Sequence, residues 1–168
     1  MGLSGVNPAE VLVGSCTIKV GPEGQEEDFG LTTEEGVRFR VKKQFLDVHA
    51  DQSYGLVKKT LAEVRQFLAF ELEQISPAAM AIVFDTESSP SGDTLDFSYG
   101  GCPSSRRMVV EGTARDGKTF TYVTQVHFIY VGDVIRSKTK PAVMPVVVEE
   151  LPNNESGHTT FGTYTESA

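Results

Sequence analysis

Apolar and polar residues alternate most cleanly between Gly36 and Lys43. Val37, Phe39 and Val41 point to one side there and Arg38, Arg40 and Lys42 to the other, because strand side chains alternate with period 2. The same pattern predicts further strands. Leu12, Cys16, Ile18 and Val20 share a face over residues 11–20, and Gly21-Pro22-Glu23-Gly24 breaks that run. Residues 105–114 and 118–131 read as a hairpin about Arg115-Asp116-Gly117-Lys118, where Asp-Gly supplies the positive φ of a tight turn. In its second limb Phe120, Tyr122, Thr124, Val126, Phe128 and Tyr130 face one way, and His127, Ile129 and Val131 the other. Residues 95–99 make a short strand ended by Gly100-Gly101, and residues 142–150 make the last strand.

Other stretches lack a clean period. Residues 25–28 read as an acidic loop, with Glu34-Glu35 adding to that charge, and residues 86–94 as polar loop. Residues 44–57 are too hydrophobic for a solvated loop and too irregular for a buried strand, so they read as a long functional connection. Between 58 and 75 two patterns compete. Val57, Leu61, Val64, Leu68 and Ile75 lie near helical spacing, whereas a strand would separate Phe67, Ala69, Glu71 and Glu73 from Leu68, Phe70 and Leu72. Local pattern alone favours the helix. Ser76-Pro77 then opens a short helix over Ala78–Phe84, with Ser76 as cap and Pro77 at the first helical position, where its missing N–H costs nothing. That helix is apolar all round and should plug one end or side of a sheet.

A chain of 168 residues fits one domain with a real core. Its 16 Gly and 8 Pro favour a β-rich fold with many turns. The net charge of −8 argues against tight nucleic-acid binding, which needs a basic face. No stretch resembles a signal peptide or a membrane span, so no membrane partner is expected. Residues 1–10 read as a flexible arm, 11–151 as the β domain and 152–168 as a polar tail. The tail is expected to be mobile in a free subunit, with residues 159–164 suited to strand addition on a neighbour's sheet edge.

No catalytic constellation stands out. His49, His127 and His158 lack metal-ligand spacing and read as solvated or packed side chains. Cys16 and Cys102 lack CxxC spacing and read as reduced structural thiols, with a disulfide between them as the alternative. Gly21-Pro22-Glu23-Gly24 and Gly100-Gly101 are turn glycines, and neither a phosphate loop nor a GxSxG motif is present. No cofactor is expected, and the chain does not read as an enzyme.

The order of elements resembles the major tail tube protein of tailed bacteriophages. Val11-Leu12-Val13-Gly14 leads into a strand ending at Val20-Gly21-Pro22, followed by an acidic loop and Phe29-Gly30-Leu31-Thr32. The strand Gly36–Lys43, then Asp51-Gln52-Ser53 and Val57-Lys58, then a long strand running into a short helix and further strands complete the pattern. The resemblance is one of layout and covers roughly residues 8 to 150. It favours the strand over the helix to about Glu71. It implies a mainly-β sandwich or half-barrel with one short flanking helix, assembled into stacked, hexameric rings that form a channel for DNA ejection. It implies a virion tail location after assembly in the host cytoplasm. The partners would be further copies of the chain, with sheath, tape measure and tail terminator proteins, and DNA passing without specific binding.

Under that resemblance, residues 44–57 would be a loop reaching the adjacent ring. Phe45, Leu46, Val48, His49, Tyr54 and Leu56 would be its contact residues. Glu63, Glu71 and Glu73 are candidates for a lumen-facing acidic lining that repels passing DNA. The alternatives are another ring or tube protein of a contractile injection machine, including a type VI secretion tube subunit, and a carbohydrate- or ligand-binding β-sandwich. The absence of Trp weighs against the last.

Overall fold

The computed structural model describes residues 16–49, 56–73, 75–88, 95–97, 104–113, 117–134, 139, 142–153 and 160–167. The protein is mainly β, with nine strands and one short helix among these residues. The strands are β1 (Thr17–Val20), β2 (Glu27–His49), β3 (Leu56–Leu72), β4 (Glu87–Ser88), β5 (Leu95–Asp96), β6 (Arg106–Thr113), β7 (Thr119–Val131), β8 (Met144–Glu150) and β9 (Thr163–Ser167). Helix α1 (Pro77–Val83) follows β3. Seven strands form one antiparallel sheet in the order β6-β1-β2-β3-β8-β7-β9, and a further pairing of β6 with β7 closes it into a barrel. Closure leaves no open edges at that seam.

The barrel interior follows from alternation. Ile18 and Val20 of β1, Leu68, Phe70 and Leu72 of β3, Met108 and Val110 of β6, Val126 of β7 and Val146 and Val148 of β8 are buried together. Helix α1 adds Ala79 and Val83 to the same core, as its all-round apolar sequence predicts. The Ser76 hydroxyl accepts from the Ala79 N–H at 3.1 Å, and Pro77 occupies the first turn. On β7, Phe120, Tyr122, Thr124, Val126 and Phe128 are buried as the alternation requires, but Tyr130 is exposed. A bulge at Ile129, between the pairs Phe128↔Val148 and Tyr130↔Val147, turns it outward.

Several expectations need correction. Residues 58–72 form a strand, as the layout resemblance favours and local periodicity does not. The strand expected at 36–43 is part of a strand of 23 residues, Glu27–His49, so Glu27 and Asp28 lie in strand rather than loop, with Glu34 and Glu35 in the same strand. Two irregularities hide this strand: Phe29 is an extra residue against β1, and residues 33–36 face only Glu71 across from β3. Gly36 sits at φ +65, a left-handed value that suits glycine. The long loop expected at 44–57 is strand at 44–49 and 56–57, while residues 50–55 lie outside the described residues. Its pattern reads as irregular because apolar Phe45, Leu46 and Val48 fall on both faces, while the register shifts beside it add Ala62 and Val57 on the β3 side. Within the polar segment 86–94, Glu87–Ser88 pairs with Leu95–Asp96.

The C-terminal segment is also corrected. It adds a strand to this chain's own sheet, β9 pairing with Thr119–Val123 of β7. The Asn153–Thr160 bridge and the stacked rings of Phe120 and Tyr164, 5.8 Å apart, hold it. Its Thr and Tyr residues suit strand addition, as the sequence predicts, but the edge is supplied in cis. Residues 1–15, the Asp116 turn position and Cys102 lie outside the described residues. Cys16 is buried, and burial pushes its thiol pKa up.

A candidate assembly surface

Strand β2 outruns the barrel wall. It pairs with β1 over Glu27–Leu31 and with β3 from Thr32 onward. Strand β3 in turn pairs with β8 only over Phe67–Leu72. Among the described residues, Val41–His49 and Leu56–Gln66 thus continue as a two-stranded arm beyond the six-residue segment shared with β8, and Arg38–Arg40, opposite Phe67–Ala69, form its root. At about 3.3 Å per residue, Val41 to His49 spans roughly 26 Å.

The arm has two faces, fixed by which residues stand opposite each other. Val37 opposes Phe70 and Phe39 opposes Leu68, so both lie on the side of the barrel interior. Val41, Phe45 and Leu61 carry this apolar side outward, with Phe45 directly opposite Leu61. They have no core to enter, and Phe39, Val41, Phe45 and Leu61 are each about half exposed. The other side carries Arg38, Arg40 and Lys42 opposite Ala69, Phe67 and Arg65, and then Leu46 and Val48 further out. Leu46 is 62% exposed. Exposed apolar side chains gathered on one projecting element mark a contact surface.

Ionic and aromatic contacts stiffen the arm. Arg65 donates to both oxygens of Glu149 at 2.6 and 2.9 Å, and its guanidinium lies 5.4 Å from the Phe67 ring centre. Lys59 sits 5.5 Å over the Phe45 ring and 3.6 Å from Asp47. Arg38 pairs with Glu35.

A polar cluster sits where the arm leaves the barrel. The Tyr122 hydroxyl donates to Glu150 Oε1 and accepts from Gln66 Nε2 at 3.2 Å. Glu150 is 2% exposed, and its second carboxylate oxygen has no hydrogen-bond partner among the described residues. Burial pushes the Tyr122 pKa well above its ordinary value, reinforced by the Glu150 hydrogen bond and charge. Phe39 packs edge-on against the Tyr122 ring at 5.1 Å. Gly162, just before β9, lies so close that a Cβ there would meet the Tyr122 ring at 2.4 Å.

Of the contact residues expected from sequence, Phe45, Leu46 and Val48 stand exposed on the arm. His49 and Leu56 pair with each other as backbone at its outermost described rung, and Tyr54 lies outside the described residues. Phe39, Val41 and Leu61 are additions. Their signal was available in the alternating pattern, but it became meaningful only once the strand proved longer than the wall. Glu63 lies opposite Gln44 and 3.9 Å from Arg65, and Glu71 lies opposite Pro145 near the end of β3 that precedes α1. Glu63 shares its strand face with Arg38, Arg40 and Lys42 rather than forming an acidic stripe. No group of three or more potential metal ligands, and no helix long and apolar enough to cross a membrane, occurs among the described residues.

No protein-family model matches the chain, and no curated protein matches it in sequence. Among solved structures, the chain is similar to one in the tail of an empty GTA particle determined with helical refinement and C6 symmetry. The two are 15% identical with a TM-score of 0.49, covering 89% of this chain and 94% of that one. It is also similar to a chain in the six-fold symmetrised baseplate of the anti-feeding prophage, at 10% identity and a TM-score of 0.48, covering 98% of this chain and 97% of the other. At these identities the likeness concerns the path of the backbone.

Proposed function

We propose that this chain is a structural subunit of a tail-type particle, a tail tube protein whose copies form stacked, hexameric rings around a channel for DNA ejection. The work of such a subunit is contact between copies, with no catalytic step and no cofactor. The observation that carries the reading is the two-stranded arm with exposed Phe39, Val41, Phe45, Leu46, Val48 and Leu61. Half-exposed side chains of this size gain about 1 kcal/mol each when covered, so one arm supplies about 6 kcal/mol with both faces covered. Association costs about 4–15 kcal/mol, so a single arm contact is marginal. A closed ring or stack in which each copy gives and receives an arm doubles the gain per subunit. Sheath, tape measure and tail terminator proteins are the further partners of this reading, and the virion tail is its location.

Negative-stain microscopy and sedimentation over a wide concentration range test it. The unmodified chain should form rings or tubes at high concentration. Phe45→Ser with Leu61→Ser should stay monomeric with an unchanged melting curve, because both side chains are already exposed in the free subunit. A chain that remains monomeric at every concentration overturns the reading.

A further inference from the structure

Charge is sharply divided along this molecule. Residues 37–66, the arm and its connection, hold seven Lys or Arg against three Asp or Glu, a net of +4. The remaining residues hold eight against twenty, a net of −12. The division runs along single strands. From Glu27 to Glu35, β2 carries four carboxylates and no cation, and from Arg38 to Lys43 it carries four cations and no carboxylate. Strand β3 repeats it in reverse, with Lys58, Lys59 and Arg65 against the single carboxylate Glu63 on the arm and Glu71 near the barrel end, followed by Glu73.

Both poles have charge to spare. Arg38, Lys59 and Arg65 are paired within the chain. Arg40, Lys42, Lys43 and Lys58 are exposed and have no ion-pair partner among the described residues. At the opposite end Glu27, Glu34 and Glu73 are exposed and likewise unpaired. The Glu73 N–H donates to the Leu31 carbonyl at 3.1 Å, which holds this end of β3 beside β2.

We infer that the cationic arm of one copy docks on the carboxylate end, around Glu34 and Glu73, of a second copy, giving a directional head-to-tail contact. This rests on the proposed assembly and deepens it by naming the two surfaces and the order in which they meet. One surface is cationic and the other anionic, and they occupy opposite ends of β2, so a contact made in one direction is heterologous and leaves a free pole at each end for the next copy. Like poles repel, so arm-to-arm pairing of the apolar stripe is disfavoured and the polarity of the stack is set. The cationic arm has a second conceivable occupant, duplex DNA. The matching anionic pole on the same chain favours the copy.

Two reversal variants of the full chain test this: Arg40→Glu with Lys42→Glu on the arm, and Glu34→Lys with Glu73→Lys at the barrel end. Each alone should raise the concentration needed for assembly at least about tenfold at low salt, where the screening length is longest. An equimolar mixture should recover the parent's assembly, because alternating copies restore opposite charges at every contact. Assembly of the parent should weaken as salt rises from about 0.05 to 0.5 M. Arg40→Gln with Lys42→Gln, which carries no reversed charge, should fall between parent and reversal. If the parent assembles but ignores salt, reversal and mixing, the inference is wrong and the assembly reading survives. If the parent never assembles, both fall. If the arm-reversed variant assembles normally and loses only binding to added duplex DNA, the arm serves nucleic acid and the inference is overturned.

Discussion

Replacing Tyr122 by Phe removes one oxygen from the barrel and keeps the ring that packs against Phe39. The hydroxyl is the hydrogen-bond donor to Glu150 Oε1, and Glu150 is 2% exposed with its other oxygen already unpartnered among the described residues. The substitution therefore strands a buried carboxyl. Leaving such a group unsatisfied costs about 2–3 kcal/mol, at the upper end of the range because the acceptor carries charge. A chain of this length loses about 2–4 °C of melting temperature per kcal/mol, so the midpoint should fall by roughly 4–12 °C. Replacing both partners by apolar groups removes the unsatisfied carboxyl, so Tyr122→Phe with Glu150→Leu should recover most of the loss. Alkaline unfolding adds a second reading. The folded Tyr122 pKa is raised above its unfolded value near 10, so its contribution is fully present below about pH 10 and is lost as pH rises beyond it. The parent's advantage over Tyr122→Phe in urea midpoint should hold from neutral pH to about pH 10 and shrink above that. A Tyr122→Phe midpoint within about 1 °C of the parent at neutral pH refutes the argument that this hydroxyl satisfies Glu150.

Gly162→Ala should release the C-terminal strand, because its Cβ would meet the Tyr122 ring at 2.4 Å; faster hydrogen exchange at Thr163–Ser167 is the measurement, with a stability loss of about 1–3 kcal/mol. Ser76→Ala should cost about 0.5–2 kcal/mol in urea unfolding by leaving the Ala79 N–H without its cap, and Ser76→Asp should restore most of it.

What was legible in the sequence was whatever depends on near neighbours or on a single buried face. Ser76-Pro77 announces its helix because capping acts within three residues. The run from Phe120 to Phe128 announces its strand because one side faces the core along that whole length. The path of β2 was hidden for two physical reasons. Bulges at Phe29 and at residues 33–36 break the period of two, and beyond Lys43 no core selects which positions are apolar. There Phe45, Leu46 and Val48 read as irregular because exposed apolar residues occupy both faces of a free-standing arm. Barrel closure was illegible for another reason. It requires β1 to pair with β6, Thr17 opposite Glu111, across most of the chain. The Gln66–Tyr122–Glu150 cluster joins three strands, and no local pattern marks any of its members.

Strands β2 and β3 are each at once barrel wall and arm, β2 passing through the irregularity at residues 33–36 and β3 keeping one register from Glu63 to Phe70, and this has a mechanical consequence. A pull on the arm along its own length is carried straight into the barrel. There it is borne by the ladder of Thr17–Val20 against Glu27–Leu31 on one side and that of Phe67–Leu72 against Met144–Glu149 on the other. Hydrogen bonds in antiparallel ladders lie perpendicular to the strands. Such a load therefore shears all of them together, whereas a sideways pull peels them one at a time. The arm is thus strongest as a tie along its own axis and weakest as a bracket across it.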